Sequence, residues 1–229
     1  MKKKRIIMII GLLSLILILG AGCSAAKPSP APTDVTPPTT SGSAVTPPDQ
    51  GLGADTDKDG LPDSVEVSLQ TNQFASDTDG DGLPDKTDKD PIYTDNLIKE
   101  TSTTALPVKI TDARVEDNLN AKDHLEITLS NTGSAELKNF DIYYTVVDTV
   151  TKVKEGYYLK LTGFSIKAGE TKTLHFDNGT GAGHYTMNLN ALYGTSKNEV
   201  LFSGQLHAAG SAPMSFSAIK AKGTAEVAD

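Results

Sequence analysis

The stretch HLEITLSNTG, residues 124–133, decides the fold of the larger part of this chain. Leu125, Ile127 and Leu129 alternate with polar residues, which is the pattern of a strand with one buried face. The run breaks at Asn131-Thr132-Gly133, where Asn and Gly favour a turn. Short alternating strands that end in such turns predict an antiparallel sheet.

The same alternation recurs towards the C terminus. Further strands are predicted at NFDIYYTVVD (139–148), TKTLHF (171–176), HYTMNLNALY (184–193) and VLFSGQLHA (200–208). In the third of these segments one face carries Tyr185, Met187, Leu189, Ala191 and Tyr193. About seven short strands over roughly 110 residues predict an antiparallel β-sandwich, assigned to residues 106–208, with a strand or a disordered tail in 209–229.

The order of LEITLSNTG, a long strand and FSIKAGETKTLHF (164–176) resembles the Ig-like domains of bacterial cell-surface proteins. In those domains a Pro-Gly or Ala-Gly turn precedes an outer strand. The chain has no Trp and a single Cys, so the Trp and disulfide core of antibody domains is absent. The resemblance implies a mainly β protein with an Ig-like sandwich.

The sequence shows no catalytic motif. Its histidines lie on scattered predicted strands, without HExxH, GxSxG or a pair at ligand spacing, so packing explains them better than catalysis. They are His124, His175, His184 and His207. We therefore predict that the chain is not an enzyme.

Two acidic loops precede the predicted sandwich, within residues 55–95. The first, DTDKDGLPDSVE (55–66), has the oxygen-ligand spacing of an EF-hand-type calcium loop, with Gly at its sixth position. Its predicted ligands are Asp55, Asp57, Asp59, the carbonyl of Leu61, Asp63 and Glu66. The second loop, DTDGDGLPDKTD (77–88), supplies Asp77, Asp79, Asp81, the carbonyl of Leu83, Asp85 and Asp88. Its last ligand is one methylene shorter than Glu, so its bidentate reach is less assured.

Calcium is the ion that these loops favour. Ca²⁺ accepts six to eight oxygen ligands in flexible loops, whereas Mg²⁺ requires an octahedron and Zn²⁺ prefers His or Cys. The alternative is an acidic, solvated linker, against which two in-phase copies with Gly at the same position argue.

A paired EF-hand is excluded. The segment before the first loop is unsuited to a helix, and Pro62 and Pro84 stand at the eighth position, where paired loops exchange a backbone hydrogen bond. A short helix is predicted only in SVEVSLQT (64–71), with Val65 and Leu69 on one face.

Residues 55–91 resemble the calcium repeats of the thrombospondin type 3 class, which are common in bacterial surface proteins. The resemblance implies that bound ions form the core of the module, with Asp88 and Asp90 as added ligands. Residues 55–95 carry a formal net charge of −9 and few apolar groups. We therefore expect calcium to order this module independently of the sandwich.

The N terminus has the layout of an export signal. Four basic residues precede the apolar run IIMIIGLLSLILIL (6–19), which predicts a signal peptide over residues 1–22, or alternatively an uncleaved anchor. Cys23 follows Leu19-Gly20-Ala21-Gly22 and resembles the lipidated cysteine of bacterial lipoproteins. The lone cysteine is otherwise idle or intermolecular. Residues 23–54, rich in Pro, Ser and Thr, predict a flexible tether.

Charge restricts the partners. Removal of residues 1–22 leaves 17 basic and 29 acidic residues, a formal net charge of −12 that argues against nucleic acid. The sequence thus predicts a lipid-anchored calcium-binding protein on the extracytoplasmic face of the cell membrane, at the cell surface or in the periplasm. It would serve as a spacer and as an interaction or adhesion module for an unidentified surface protein. The alternative is a surface lipoprotein that binds polysaccharide, against which the absence of Trp argues.

Overall fold

The computed structural model describes residues 53–118 and 121–223. The predicted signal peptide, Cys23 and nearly all of the predicted tether lie outside these ranges. Within the described ranges, no helix has the length and apolar character needed to cross a membrane.

The described part of the chain is built mainly of β-strands. In chain order its elements are α1 (Asp63–Leu69), β1 (Val108–Asn118), β2 (Ala121–Asn131), β3 (Leu137–Lys138), β4 (Phe140–Asp148), β5 (Lys154–Lys160), β6 (Ser165–Ile166), β7 (Thr171–Phe176), β8 (His184–Tyr185), α2 (Leu192–Thr195), β9 (Val200–Ala208) and β10 (Met214–Lys220).

Two four-stranded sheets form a sandwich. Their strand orders are β1-β2-β7-β8 and β10-β9-β4-β5, and their neighbouring strands are antiparallel except for the parallel pair β7 and β8. A small third ladder joins β3 to β6. The neighbour orders β1-β2-β7 and β10-β9-β4-β5 match strands A-B-E and G-F-C-C′ of immunoglobulin domains. The predicted mainly β fold with an antiparallel Ig-like sandwich is confirmed.

The core lies between the inner faces of the two sheets. Leu125, Ile127 and Leu129 of β2 are fully buried, so the predicted alternation is confirmed. On β4, buried and half-buried residues alternate along the whole strand. Tyr144 of β4 meets Phe176 of β7 edge to face, with 5.9 Å between the ring centroids. Each such buried side chain stabilises the fold by about 1.5–3 kcal/mol.

The predicted strand at 184–193 is wrong for most of its length. Only His184–Tyr185 is strand, and the chain then turns into α2. The Asn188 side chain accepts a hydrogen bond from the Asn190 amide at 2.9 Å, an Asn turn that competes with strand pairing. Met187 is nevertheless buried, as the pattern predicts, although it lies outside a paired strand.

The acidic segment packs against β5, an edge strand of its sheet. The amides of Thr94 and Gly156 donate to the carbonyls of Gly156 and Ile92, both at 3.1 Å, and the Tyr158 amide donates to the Asp79 carbonyl at 2.8 Å. These bonds cover polar backbone groups that an exposed edge would present to other chains. The expected boundary between residues 55–95 and the sandwich is therefore crossed by backbone hydrogen bonds.

Candidate metal centre

The first acidic loop is closed by its leading carboxylate. Oδ1 of Asp55 accepts the amide of Lys58 at 2.8 Å, and Oδ2 accepts the amide of Gly60 at 3.2 Å. Gly60 has φ +91°, a left-handed conformation that glycine adopts without a steric penalty. The sharp turn at the sixth position thus follows from the sequence.

Each of the next two carboxylates of this loop accepts a hydrogen bond with only one of its two oxygens. Oδ1 of Asp57 accepts the Asp59 amide at 3.1 Å, and Oδ1 of Asp59 accepts the Leu61 amide at 2.6 Å. Oδ2 of both residues is buried and has no hydrogen-bond partner among the residues that the structure describes. One carboxylate oxygen from each of Asp55, Asp57 and Asp59 lies within 4.8 Å of the others.

The second loop repeats this network. Asp77 accepts the amides of Gly80 and Gly82, both at 2.9 Å. Asp79 accepts the amide of Asp81 at 3.0 Å, and Asp81 accepts the amide of Leu83 at 2.7 Å. The three carboxylates again bring one oxygen each within 4.8 Å of the others.

The ninth-position carboxylates brace the loops. Asp63 accepts the amide and the hydroxyl of Thr56 at 2.9 and 2.8 Å, and Asp85 accepts those of Thr78 at 2.8 and 2.6 Å. Asp63 and Asp85 are both predicted ligands. In the structure each is hydrogen-bonded to a threonine and lies outside the two clusters of three carboxylates. Their contribution to an ion would be through charge or through a bridging water.

The helix α1 buries its glutamate and exposes two of its apolar side chains. Glu66 is fully buried, whereas Val67 and Leu69 are 55% and 45% exposed. The predicted helix is confirmed, and on its predicted apolar face Val65 is half-buried whereas Leu69 is exposed. Neither carboxylate oxygen of Glu66 has a hydrogen-bond partner in the described part of the chain. Burial raises the pKa of this carboxyl to about 7, and the nearby charge of Asp57 adds to the effect.

The second loop has its own buried carboxylate. Asp79 is 1% exposed, and burial raises its pKa to about 7, against the lowering effect of the Asp81 amide. Asp88, the predicted closing ligand, is half-buried, and its Oδ1 accepts the amide of the exposed Asp90 at 2.9 Å. Because one oxygen of Asp88 already accepts a hydrogen bond, Asp88 is less able than Glu66 to coordinate an ion with both carboxylate oxygens.

These groups fit a hard divalent cation. A buried carboxylate oxygen without a donor is costly, and a coordinated cation removes that cost. Oxygen atoms of this kind belong to Asp57, Asp59, Glu66 and Asp79. The donor atoms are all carboxylate oxygens, the ligand type that hard cations such as Ca²⁺ and Mg²⁺ take.

A second group of ligand-type residues was not anticipated from the sequence. One ring nitrogen each of His124 and His175 and one carboxylate oxygen of Asp177 lie within 4.8 Å of one another. The interpretation of the histidines as scattered is wrong for these residues, because strand register brings β2 and β7 side by side. The sequence signal for this group is the alternation of His124 and Glu126, and of His175 and Asp177, with core residues of neighbouring strands.

Comparisons with known proteins add little. The sequence matches no family model and no curated protein. The ApaA protein from Bordetella pertussis is 10% identical, with 52% of this chain and 96% of that one covered and a TM-score of 0.32. The DNA glycosylase AlkC of Pseudomonas fluorescens is 20% identical, with 49% and 30% covered and a TM-score of 0.28. Spo0M of Bacillus subtilis is 15% identical, with 51% and 48% covered and a TM-score of 0.26. Such low TM-scores give no argument about function.

Proposed function

We propose that this chain is a lipid-anchored, calcium-binding protein of the cell surface or envelope that serves as a spacer and as an interaction or adhesion module. The observation that carries the calcium assignment is Glu66, a fully buried carboxylate with both oxygens unpartnered among the described residues, on a helix that exposes Leu69. A cation beside this carboxylate would remove the cost of burying it and would explain why α1 buries Glu66 and exposes Leu69.

The two loops act as one calcium module in this proposal. Nζ of Lys86, in the second loop, donates to the carbonyl of Gly60, in the first, at 3.0 Å. The side-chain amides of Asn188 and Asn190 donate to the carbonyls of Gln70 and Thr71 at 2.6 and 2.7 Å, just after α1. Calcium would therefore stiffen the module and hold it on the sandwich.

The remaining roles follow from the anchor and the sandwich. Cys23 would carry the lipid and residues 23–54 would form the tether, which keeps the sandwich away from the bilayer. The partner would be another surface protein. We assign no catalytic role in this proposal.

Calorimetric titration tests the calcium assignment. Wild-type protein should bind about two Ca²⁺ ions, with extracellular-type affinity of roughly 10⁻⁴–10⁻³ M or tighter, and should bind Mg²⁺ far more weakly. The isosteric variant Glu66→Gln should lose one ion, whereas Glu199→Gln, at an exposed site between α2 and β9, should keep both. Absence of calcium binding in the wild type would refute the assignment.

Fractionation tests the anchor separately. In bacteria that express the full chain, Cys23→Ala should abolish acylation and release the protein from the membrane fraction or leave an unprocessed precursor. Processing and membrane attachment equal to those of the wild type would refute the lipoprotein assignment and leave the calcium assignment untouched.

A further inference from the structure

The outer face of the β1-β2-β7-β8 sheet carries two rows of ionisable side chains. In the first row, strand register pairs Arg114 with Glu126, Glu126 with His175, and His175 with His184. The pairs β1–β2 and β2–β7 are antiparallel and β7–β8 is parallel, so four strands contribute one residue each. The row runs from the exposed Arg114 through the buried Glu126 to the half-buried His175 and His184.

The second row lies beside the first. Glu116 pairs with His124, and His124 stands one position beyond the pair Leu125–Phe176, which places it next to Asp177. Phe176 points into the core, so Asp177 and His175 lie on the same outer face. His124 and Glu126 of β2, His175 of β7 and Asp177, the residue that follows β7, thus form a square.

The contacts inside this square hold the rings in place. Glu126 lies 2.8 Å from Nδ1 of His175 and 3.4 Å from Nε2 of His124, and it is itself paired with Arg114 at 2.6 Å. In metal sites, a ligand histidine usually has its other ring nitrogen hydrogen-bonded to a carboxylate, which fixes the orientation of the ring. His184 stacks on His175 with 4.9 Å between centroids, and its Nδ1 lies 2.9 Å from Oδ1 of Asp177.

Burial is graded across the site. The side chain of His124 is 8% exposed, whereas those of His175, Asp177 and His184 are 29%, 23% and 32% exposed. One ligand is therefore anchored in the protein and the others border solvent. An ion has access to this site without any opening of the core.

We propose that His124, His175 and Asp177 form a second metal site, which takes a divalent transition ion that prefers imidazole, with Zn²⁺ as its natural test ion. Two imidazoles and one carboxylate select Zn²⁺, Cu²⁺ or Ni²⁺ and discriminate against Ca²⁺, which prefers oxygen. Tetrahedral Zn²⁺ with ligands at about 2.0–2.1 Å holds them about 3.3 Å apart, so ligand atoms within 4.8 Å need to approach by about 1.5 Å at most. His184 or water completes the coordination.

Zinc titration in saturating Ca²⁺ tests this site, since the acidic loops are then filled. Wild-type protein should bind one Zn²⁺, and His175→Ala and Asp177→Asn should weaken this binding more than about 100-fold, because each removes a ligand. Glu126→Gln, which removes only the charge that orients the histidine rings, should weaken it about 10–100-fold. Co²⁺ in place of Zn²⁺ should give visible absorption bands that disappear in His175→Ala.

The matched control is His207→Ala. His207 is also a buried histidine between two carboxylates, Asp141 at 2.6 Å and Glu100 at 3.3 Å, but it lies on the other sheet. Circular dichroism checks that each variant is folded. We expect His175→Ala to fold because His175 is only half-buried, and Asp177→Asn to fold because Asn has nearly the same shape as Asp. The proposal is overturned if the wild type binds no Zn²⁺, if His175→Ala binds it unchanged, or if His207→Ala loses it.

Discussion

The backbone carbonyl of Asp79 accepts a hydrogen bond from the amide of Tyr158 at 2.8 Å. The same residue has a buried carboxylate oxygen, Oδ2, that no described residue satisfies. One residue therefore belongs both to the candidate calcium cluster and to the covered edge of β5, and we expect occupancy of the ion site and protection of the edge to be coupled.

Removal of calcium should expose this edge. Because residues 55–95 carry many like charges and few apolar groups, chelation should make their amides exchange rapidly. The amides of Gly156 and Tyr158 should lose protection as well, since their acceptors lie in the segment 79–92. Leu125–Leu129, in the opposite sheet, should stay protected. Hydrogen exchange by mass spectrometry with and without chelator measures all three regions, and unchanged exchange at Tyr158 would contradict the coupling.

The two closing carboxylates should differ in strength. Glu66 is fully buried with both oxygens available, whereas Asp88 is half-buried and engages one oxygen with the Asp90 amide. In calorimetric titration, Glu66→Ala should therefore weaken calcium binding more than Asp88→Ala does. Glu199→Ala, at an exposed site between α2 and β9, serves as the control and should have no effect. A larger loss at Asp88 would mean that the ligands are shared between the loops.

A pair of glycine variants separates docking from loop conformation. Gly80 and Gly82 both have positive φ, +82° and +100°, so Ala at either costs about 1–2 kcal/mol of backbone strain. A Cβ at Gly80 would lie 1.9 Å from the carbonyl oxygen of Tyr158, whereas at Gly82 it would meet nothing within 4 Å. Gly80→Ala should therefore also deprotect the Tyr158 amide in hydrogen exchange, and Gly82→Ala should not. Equal behaviour of the two variants would show that the contact with β5 contributes nothing.

A buried glutamate should make stability depend on pH. Glu155 is 1% exposed, and burial raises its pKa from the ordinary 4.5 to about 7, although the Leu192 amide and the Tyr157 hydroxyl donate to it. The folded state then binds the proton more tightly than the unfolded state, so this contribution to stability is present below pH 4.5 and is lost as pH rises to about 7.

Denaturation of Glu155→Gln in saturating Ca²⁺ measures that effect. Relative to wild type, the variant should gain stability between pH 5 and pH 8, by on the order of 3 kcal/mol for a shift of this size. The exposed Glu199→Gln should show no such trend. If the difference in the free energy of unfolding between Glu155→Gln and wild type stays constant with pH, the raised pKa of Glu155 is wrong.

The sheet could be predicted from the sequence where strands alternate, and less well where side chains compete with the backbone. Leu125, Ile127 and Leu129 were placed correctly because period-two burial is a local signal. The segment after Tyr185 was misassigned because Asn188 and Asn190 bind backbone groups and replace strand pairing. Local alternation does not reveal such competition.

The candidate metal sites likewise have features that the sequence predicts and features that it does not. The acidic triplets and the turn at Gly60 follow from spacing within one loop, which a sequence displays directly. The bracing of Thr56 by Asp63 and the burial of Glu66 depend on how the loop closes, and the group of His124, His175 and Asp177 depends on register between strands about fifty residues apart. Such long-range pairings leave no trace in the spacing of one sequence.

The contact between Asp79 and Tyr158 also sets an order of events during folding. The two residues are 79 positions apart, and the acidic module leaves the ribosome before β5 has been made. Its docking surface therefore does not exist when the module emerges, and β5 itself becomes a stable edge only when it is paired with β4. The contacts between the module and β5 therefore form only after β5 has been made and paired, later than the local hydrogen bonds within each acidic loop.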